Sequence, residues 1–170
     1  MNVRLCDVTP DDLPLIEGWL RAEHVRRFWG EPGENVRLLR HPPPGMNRAL
    51  IEVDGRKVGL VLRQHPTRQE LDEAGLDEIP ESVIDIDIMI GEADAVGRGI
   101  GPAAVGLVAE RALKDTSVPF VMAAASVENR ASRRAFEKAG FRMEREFDDV
   151  PGGRCVLMVR RRRRFGDAGG

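Results

Sequence analysis

Residues 83–104 read VIDIDIMIGEADAVGRGIGPAA, which predicts a buried strand, a glycine-rich turn and a helix in direct succession. Apolar β-branched residues at alternate positions favour a strand, because successive side chains of a strand point to opposite faces of a sheet. The isoleucines are therefore expected in the core. Asp85, Asp87 and Met89 share the opposite face, where the two carboxylates would meet either solvent or a cleft.

Three glycines, Gly97, Gly99 and Gly101, form the turn after this strand. Backbone N–H groups can converge there without side chains in the way, and a helix beginning near Pro102 adds the positive end of its dipole. The turn is therefore suited to a phosphate or pyrophosphate, with a plain tight turn as the simpler alternative. The dinucleotide fingerprint is excluded by the glycine spacing, and the Walker loop by the absence of Gly-Lys-Ser/Thr.

The rest of the chain predicts an α/β (α+β) fold, with a mixed, mostly antiparallel sheet of about seven strands and about four flanking helices. After a first strand, one long helix is predicted from Thr9 to Trp29, with an irregularity near Pro14 or Gly18. Residues 64–82 are predicted to form a long acidic loop or a short helix.

Length and composition favour one domain over residues 1–165 with a short tail at residues 166–170. The two cysteines are too few and too scattered for a disulfide framework or a zinc site, and no metal is expected. No apolar run approaches the roughly 20 residues that a bilayer crossing needs, and the polar start lacks a secretion signal. A cytoplasmic protein without membrane contact is predicted.

Charge is distributed unevenly along the chain, although the net charge is only −2. Residues 69–97 contain ten acidic side chains and neither Lys nor Arg, a field that attracts cations and repels nucleic acid. The arginine run at residues 160–164 has two interpretations, a solvated tail or a contact with phosphate or nucleic acid. No aromatic residues interleave with it to make a stacking surface.

Two motifs, separated by one predicted helix and one strand, give the chain a family resemblance. They are the turn Val96-Gly97-Arg98-Gly99-Ile100-Gly101 and the segment Asn129-Arg130-Ala131-Ser132-Arg133-Arg134-Ala135-Phe136-Glu137-Lys138-Ala139-Gly140-Phe141. Together they resemble the GNAT superfamily of acyl-CoA-dependent N-acetyltransferases. The resemblance covers roughly residues 80–145 and implies the GNAT fold, with acetyl-CoA as the co-substrate.

The resemblance implies roles for both motifs. The amides of the turn would hold the CoA pyrophosphate, and the second motif would pack along the pantetheine and thiol end. The Gln or Arg that usually opens the family's loop is Val96 here, which removes a side-chain contact but leaves the amides. The residues expected to contact acetyl-CoA are Met89, Ile90, Val96, Gly97, Arg98, Gly99, Ile100, Gly101, Pro102, Asn129, Ser132 and Phe136.

The front half of the chain shows a narrower resemblance. Leu15-Ile16-Glu17-Gly18-Trp19-Leu20 and His24-Val25-Arg26-Arg27-Phe28-Trp29-Gly30 look like the amino-terminal part of the aminoglycoside 6′-N-acetyltransferases and of related siderophore-biosynthesis acetyltransferases. The resemblance implies a small cationic amine as substrate, in the first instance the 6′-amine of an aminoglycoside, and a role in antibiotic resistance. A monomer or a homodimer is expected.

In the aminoglycoside enzymes, an aspartate at the position of Asp87, ten residues before the first glycine of the loop, deprotonates the substrate amine. The resemblance therefore implies Asp87 as the catalytic base. Asp85 is a second catalytic candidate, since a neighbouring carboxylate would raise the shared pKa. The residues expected to contact the acceptor are Trp29, Asp85, Asp87 and Glu92. Glu92 could instead cap the loop, and Trp29 could instead be a core residue.

The acyl oxygen and the leaving thiolate also need partners. By resemblance, backbone N–H groups around Met89 and Ile90 are candidate donors to the acyl oxygen. Many relatives protonate the thiolate with a tyrosine, but this chain contains no tyrosine and Phe136 occupies the matching place. Either water protonates the thiolate, or the thiolate leaves unassisted, since a thiol has a pKa of about 8.5.

The acceptor stays open between several amines, because a further aspartate that some aminoglycoside enzymes use is Ala124 here. The alternatives within the same chemistry are a siderophore precursor, a polyamine or a protein amine. An alternative of another class is a module that binds acyl-CoA without turnover.

Overall fold

The computed structural model describes residues 1–149 and 153–164, which form a seven-stranded sheet. The strands are β1 (Val3–Asp7), β2 (Asn47–Val53), β3 (Arg56–Gln64), β4 (Ile84–Ile90), β5 (Phe120–Ser126), β6 (Arg142–Asp149) and β7 (Gly153–Arg161). Their order across the sheet is β1-β2-β3-β4-β5-β7-β6, and only β4 and β5 run parallel. The predicted mixed, mostly antiparallel sheet is confirmed.

The described residues contain six α-helices, whereas the sequence predicted about four. They are α1 (Leu13–Arg21), α2 (Glu23–Trp29), α3 (Pro32–Arg40), α4 (Arg68–Glu73), α5 (Ile100–Leu113) and α6 (Arg130–Lys138). The long helix predicted from Thr9 to Trp29 is a 3-10 turn followed by α1 and α2. The break lies at Ala22, whose extended ψ of 137° ends one helix and starts the next. It does not lie at Pro14 or Gly18.

Helices cover both faces of the sheet. On one face, Ile84 and Ile86 of β4 pack in a core cluster with α5 and α6. On the other face, Met89 joins a cluster with Trp19 and Leu20 of α1. The segment predicted as a long acidic loop or a short helix contains the short helix α4. Leu71, Leu76 and Ile79 of this segment pack on β5 and β7 in a third cluster.

The parallel pairing of β4 with β5 covers two residue pairs, Ile84 with Val121 and Asp85 with Met122. Both strands continue beyond this pairing, to Ile90 and Ser126, but there they are not paired with each other. Backbone polar groups on the facing edges are therefore open to another partner. This separation lies directly before the glycine turn, and it positions the candidate site.

The arginine run at residues 160–164 makes internal contacts through three of its members. Arg162 closes the carboxyl end of α5 by donating hydrogen bonds to three main-chain carbonyls, those of Leu113, Asp115 and Val118. Arg160 donates to the carbonyl of Ala139, and Arg161 lies over the ring of Phe120. For these three arginines, the structure differs from both interpretations of the sequence.

None of the helices in the described ranges is long and apolar enough to cross a membrane. The tail predicted at residues 166–170 lies outside the described residues. The single domain predicted over residues 1–165 stays a prediction.

Trp19 contacts Gly91 and Glu92, the two residues that directly follow β4. Its side chain is 4% exposed, and its indole N–H donates to Glu92 at 2.7 Å. A Cβ added to Gly91 would lie 2.1 Å from the indole ring, so only glycine fits beneath it. The N–H groups of Gly91 and Glu92 both donate to the carbonyl of Val58, at 2.8 and 3.1 Å. The amino-terminal helices are thus fixed to the start of the turn.

We expect Gly91→Ala to lower the free energy of unfolding by about 2 kcal/mol or more, because the added methyl must displace a buried ring. Gly18→Ala is the matched control, since Gly18 lies in α1 with no atom within 4 Å of its added Cβ. That change should leave stability equal or raise it by about 0.5 to 1 kcal/mol. Urea unfolding of the two variants measures the difference, and a Gly91→Ala protein as stable as the wild type would contradict this packing.

Candidate functional site

The glycine turn between β4 and α5 presents open backbone N–H groups. Gly97 and Gly99 have φ values of +75° and +80°, which glycine adopts without strain. Gly99 is the N-cap of α5 and provides no side-chain cap, so the first N–H groups of α5 remain available to a ligand. Gly101 lies close to α6, where an added Cβ would be 3.6 Å from Ala135. This geometry suits the backbone of the turn to an anion.

A cleft of about 460 Å³, here termed the turn cleft, extends from the glycines along the end of β4. Helices α2 and α6 form its other walls. It is lined by His24, Val25, Phe28, Trp29, Ile88, Met89, Ile90, Ala95, Val96, Gly97, Gly99, Gly101, Pro102, Asn129, Ala131, Ser132, Arg134, Ala135 and Lys138. Nine of the twelve residues predicted to contact acetyl-CoA belong to this lining.

A second cleft of about 260 Å³, here termed the Asp87 cleft, adjoins it where β4 and β5 separate. It is lined by Phe28, Trp29, Asn35, Leu38, Met46, Leu62, Gln64, Asp87, Ile88, Ala124, Ala125, Ser126, Asn129, Ser132 and Phe136. Five residues line both clefts and define their junction: Phe28, Trp29, Ile88, Asn129 and Ser132. Among the described residues of this second lining, Asp87 is the only charged one.

Some predicted site residues lie outside both linings. Ile100 is buried beneath the turn, and Arg98 is exposed on its surface. Glu92 accepts a hydrogen bond from Trp19 through Oε1 and pairs with Arg56 through Oε2 at 2.8 Å. Because both of its oxygens are engaged, the structure favours the loop cap over the acceptor contact predicted for Glu92.

The structure adds residues that the sequence interpretation did not include. Arg134 and Lys138 are four residues apart on α6, so they lie on the same face and bring two cations to the turn cleft. That spacing was a usable signal. The Nε2 atom of His24 lies 3.0 Å from the carbonyl oxygen of Ile90, at the end of β4. The α3 and β3 residues of the Asp87 cleft reach it only through tertiary packing, which no local pattern indicates.

The two carboxylates of β4 have different surroundings. Asp87 lines the cleft, whereas Asp85 lies outside both linings and its Oδ1 is buried without a hydrogen-bond partner among the described residues. Burial, followed by the charges of Asp87, Glu70 and Asp149, raises the pKa of Asp85 well above its usual value. Burial, followed by the charge of Asp149, raises the pKa of Asp87 to about 6.

These values suit Asp87 to proton transfer. A carboxyl with a pKa of about 6 is mostly ionised at neutral pH, yet is far more basic than a solvated aspartate. An amine in the Asp87 cleft could therefore be held as an ammonium ion and then give up a proton to Asp87. The elevated pKa of Asp85 favours its neutral form, which limits the charge that the pair carries. Within residues 1–149 and 153–164, no group of three or more His, Cys, Asp and Glu could hold a metal ion.

Comparisons with known proteins agree with this architecture. The family model described as acetyltransferase (GNAT) domain matches residues 8–149. Aminoglycoside N(6′)-acetyltransferase type 1 of Klebsiella pneumoniae is 25% identical over 175 residues, covering 96% of this chain and 85% of that protein. A structure of AAC(6′)-Ib with acetyl-CoA superposes with a TM-score of 0.83 at 23% identity, covering 99% of this chain and 100% of that one.

A second AAC(6′)-Ib structure, in complex with coenzyme A and kanamycin, has a TM-score of 0.80 at 24% identity and covers 95% of each chain. The two superpositions show that the overall fold is shared. The fold class predicted from the sequence is thereby confirmed, together with the resemblance that suggested it.

The raised pKa of Asp87 predicts a change in stability with pH. A folded-state pKa of about 6 exceeds the unfolded value of about 3.9, so the folded chain binds the proton more tightly and this residue's contribution falls as pH rises from about 4 to about 6. Replacing the carboxylate with an amide, which does not titrate, should remove this fall in the free energy of unfolding. We expect Asp87→Asn to raise the free energy of unfolding at pH 8 by up to about 3 kcal/mol.

Chemical unfolding between pH 4 and pH 8 measures this effect as the difference between the variant and the wild type. Asp77→Asn, a change at an exposed position in the acidic segment, is the control and should follow the wild type. An Asp87→Asn curve parallel to that of the wild type would show that Asp87 has an ordinary pKa.

Proposed function

The chain belongs to the GNAT acetyltransferase family and is an acetyl-CoA-dependent N-acetyltransferase, and from this premise we propose that its acceptor is the 6′-amine of an aminoglycoside. The observation that carries the proposal is the position of Asp87, whose carboxylate lies in a cleft that meets the turn cleft where β4 and β5 separate. Because the chain belongs to this enzyme family, we reject the alternative of a module that binds acyl-CoA without turnover.

In the proposed complex, the turn cleft holds acetyl-CoA. The N–H groups around Gly97 and Gly99 bind the pyrophosphate, and Arg134 and Lys138 supply positive charge beside it. The unpaired edges of β4 and β5 bind the amides of the pantetheine arm, because those edges have backbone groups to satisfy. Val96 adds no polar contact, so the anion is bound mainly by main-chain atoms.

The Asp87 cleft holds the acceptor amine. Asp87 first pairs with the ammonium form and then accepts its proton, either directly or through water. The neutral amine bonds to the acetyl carbon as the carbon–sulfur bond breaks. Asp87, after releasing the first proton to solvent, accepts the second proton that the nitrogen loses as the amide forms. Asp85 contributes through its own raised pKa, which favours its neutral form and limits the negative charge beside Asp87. Backbone N–H groups of Met89 and Ile90 are the donors that we propose for the acyl oxygen.

Aminoglycosides fit the acidic character of the chain and the 25% identity to an aminoglycoside acetyltransferase. Within residues 69–97, the acidic side chains would draw a polycation toward the cleft. Small cationic amines are therefore the partners that we propose, with a cytoplasmic location and a monomeric or homodimeric state kept as predictions.

A second candidate is an acceptor with one amine on a slender, largely apolar body, such as a siderophore precursor or a protein amine. The observation that favours it is the lining of the Asp87 cleft, where Phe28, Trp29, Leu38 and Met46 are apolar and no second charged residue is found among the described ones. Ala124 lies where a further carboxylate would help to bind a polycation.

Release of free CoA from acetyl-CoA with kanamycin as acceptor tests the proposal. We expect turnover by the wild type and a fall of about 100- to 10,000-fold in kcat/KM for Asp87→Asn, the range typical of a lost general base. The wild-type kcat/KM should rise with pH through an apparent pKa of about 6. CoA affinity should not change in the variant, because Asp87 does not line the turn cleft.

Asp77→Asn is the control for a lost acidic residue and should keep wild-type rates. Turnover of a single-amine acceptor without turnover of kanamycin would select the second candidate. Full activity in Asp87→Asn would remove this residue from the role of base.

A further inference from the structure

Departure of the CoA sulfur leaves a negative charge, and the mechanism proposed above assigns no hydrogen-bond donor to it. The electron pair of the carbon–sulfur bond goes to sulfur, while the proton of the amine goes to Asp87. The proton on Asp87 comes from the attacking amine and then returns to water, so it does not stabilise the sulfur. The chain contains no tyrosine, and Phe136, which is 2% exposed in the wall of the Asp87 cleft, carries no polar atom.

The junction of the two clefts limits where the sulfur can lie. A thioester bound through its phosphates at the glycine turn and attacked beside Asp87 must pass between the two clefts. The junction consists of Phe28, Trp29, Ile88, Asn129 and Ser132. Two of these side chains are hydrocarbon, so the polar groups available there come from Trp29, Asn129 and Ser132.

Ser132 has the hydroxyl group at this junction. It lies in the first turn of α6 and is half-buried. Its backbone N–H donates to Oδ1 of Asn129 at 3.1 Å, which fixes the Asn129 side chain as the cap of the helix. The Ser132 Oγ makes no hydrogen bond to any of residues 1–149 and 153–164. Ser126 also has a hydroxyl group, but it lines the Asp87 cleft and not the turn cleft.

From this arrangement we propose that Ser132 is a catalytic residue whose Oγ–H donates a hydrogen bond to the departing CoA sulfur. The inference rests on the proposed acetyl transfer and deepens it. The hydrogen bond stabilises the thiolate until a water molecule protonates it. The nitrogen of the ammonium substrate loses two protons in becoming an amide: Asp87 accepts one before the attack and one after it, and passes each to solvent. Solvent returns one proton to the thiolate, so the cycle releases one proton net. The amino end of α6 lies at the same junction and adds a favourable dipole.

The first test measures CoA binding and needs no acceptor. If Ser132 stabilises the thiolate, the thiol pKa of bound CoA is lower than that of free CoA. The affinity of the wild type for CoA, relative to its affinity for desulfo-CoA, which has no thiol, should then rise as pH increases from 7 to 9.5. The rise should be about tenfold for each unit by which binding lowers the thiol pKa. Ser132→Ala should lose this rise. Ser126→Ala is the matched control and should keep it. Calorimetric titration at each pH gives the ratio of the two dissociation constants.

The second test measures turnover. Ser132→Ala should lower kcat by about 10- to 100-fold, as expected for a lost hydrogen bond to a charged group, and leave KM for acetyl-CoA nearly unchanged. Ser132→Thr keeps the hydroxyl and should restore most of the rate. The alanine variant is expected to fold, because only the side chain is changed and the backbone bond to Asn129 remains.

The inference would be overturned if Ser132→Ala had the kcat of the wild type. It would also be overturned if the CoA affinity of the variant rose with pH as much as that of the wild type. A protein that fails to acetylate kanamycin but shows the Ser132-dependent CoA effect would refute the proposed acceptor and support the role of Ser132. The proposed acceptor and the proposed role of Ser132 are therefore tested by different measurements.

Discussion

The site depends on one interruption in the sheet, the end of the parallel pairing between β4 and β5 after two residues. A sheet that continued to pair would close both clefts and satisfy every backbone group along the two strands. Here the strands separate while each is held on its other side, β4 by β3 and β5 by β7. The gap is therefore a fixed property of the fold, with open backbone groups on both walls and the amino end of α6 at its mouth.

Two features keep this gap in place at its open end. Trp19 packs against Gly91 and hydrogen-bonds to Glu92, so α1 fixes the chain just after β4. The following glycines then turn the chain into α5 with their N–H groups exposed. The acidic face of β4 has an opposite energetic effect, because Asp85 and Asp87 are half-buried and desolvation raises the pKa of both carboxyls. The apolar clusters on the two faces of the sheet stabilise the fold, and the carboxylates reduce that stability at the position of the proposed base.

The sequence predicted the sheet and the glycine turn well because both rest on local rules. Alternating isoleucines put β4 in the core with its aspartates on one face, and the glycines leave backbone N–H groups of the turn open, Gly97 and Gly99 at positive φ. The strand pattern alone could not separate Asp85 from Asp87, since both share a face, and it was the family resemblance that ranked Asp87 first. Tertiary packing places Asp87 in the lining of the cleft and Asp85 outside it. The break at Ala22 was missed because alanine favours helix and gives no local signal. For Glu92 the sequence left the acceptor contact and the loop cap both open, because its partners Trp19 and Arg56 are distant in sequence.

The contacts of Arg162 join the end of the last strand to the helix that begins at the glycine turn. Helix α5 has 14 residues, so its two ends lie about 21 Å apart. The amino end of α5 is fixed where the turn packs on α6. The carboxyl end of α5 is fixed by the hydrogen bonds that Arg162 donates to three main-chain carbonyls. Both ends of α5 are thus held by contacts with other elements. Removal of Arg162, for example by proteolytic trimming of the carboxyl terminus, would free one end of α5 and make the glycine turn at its other end less rigid.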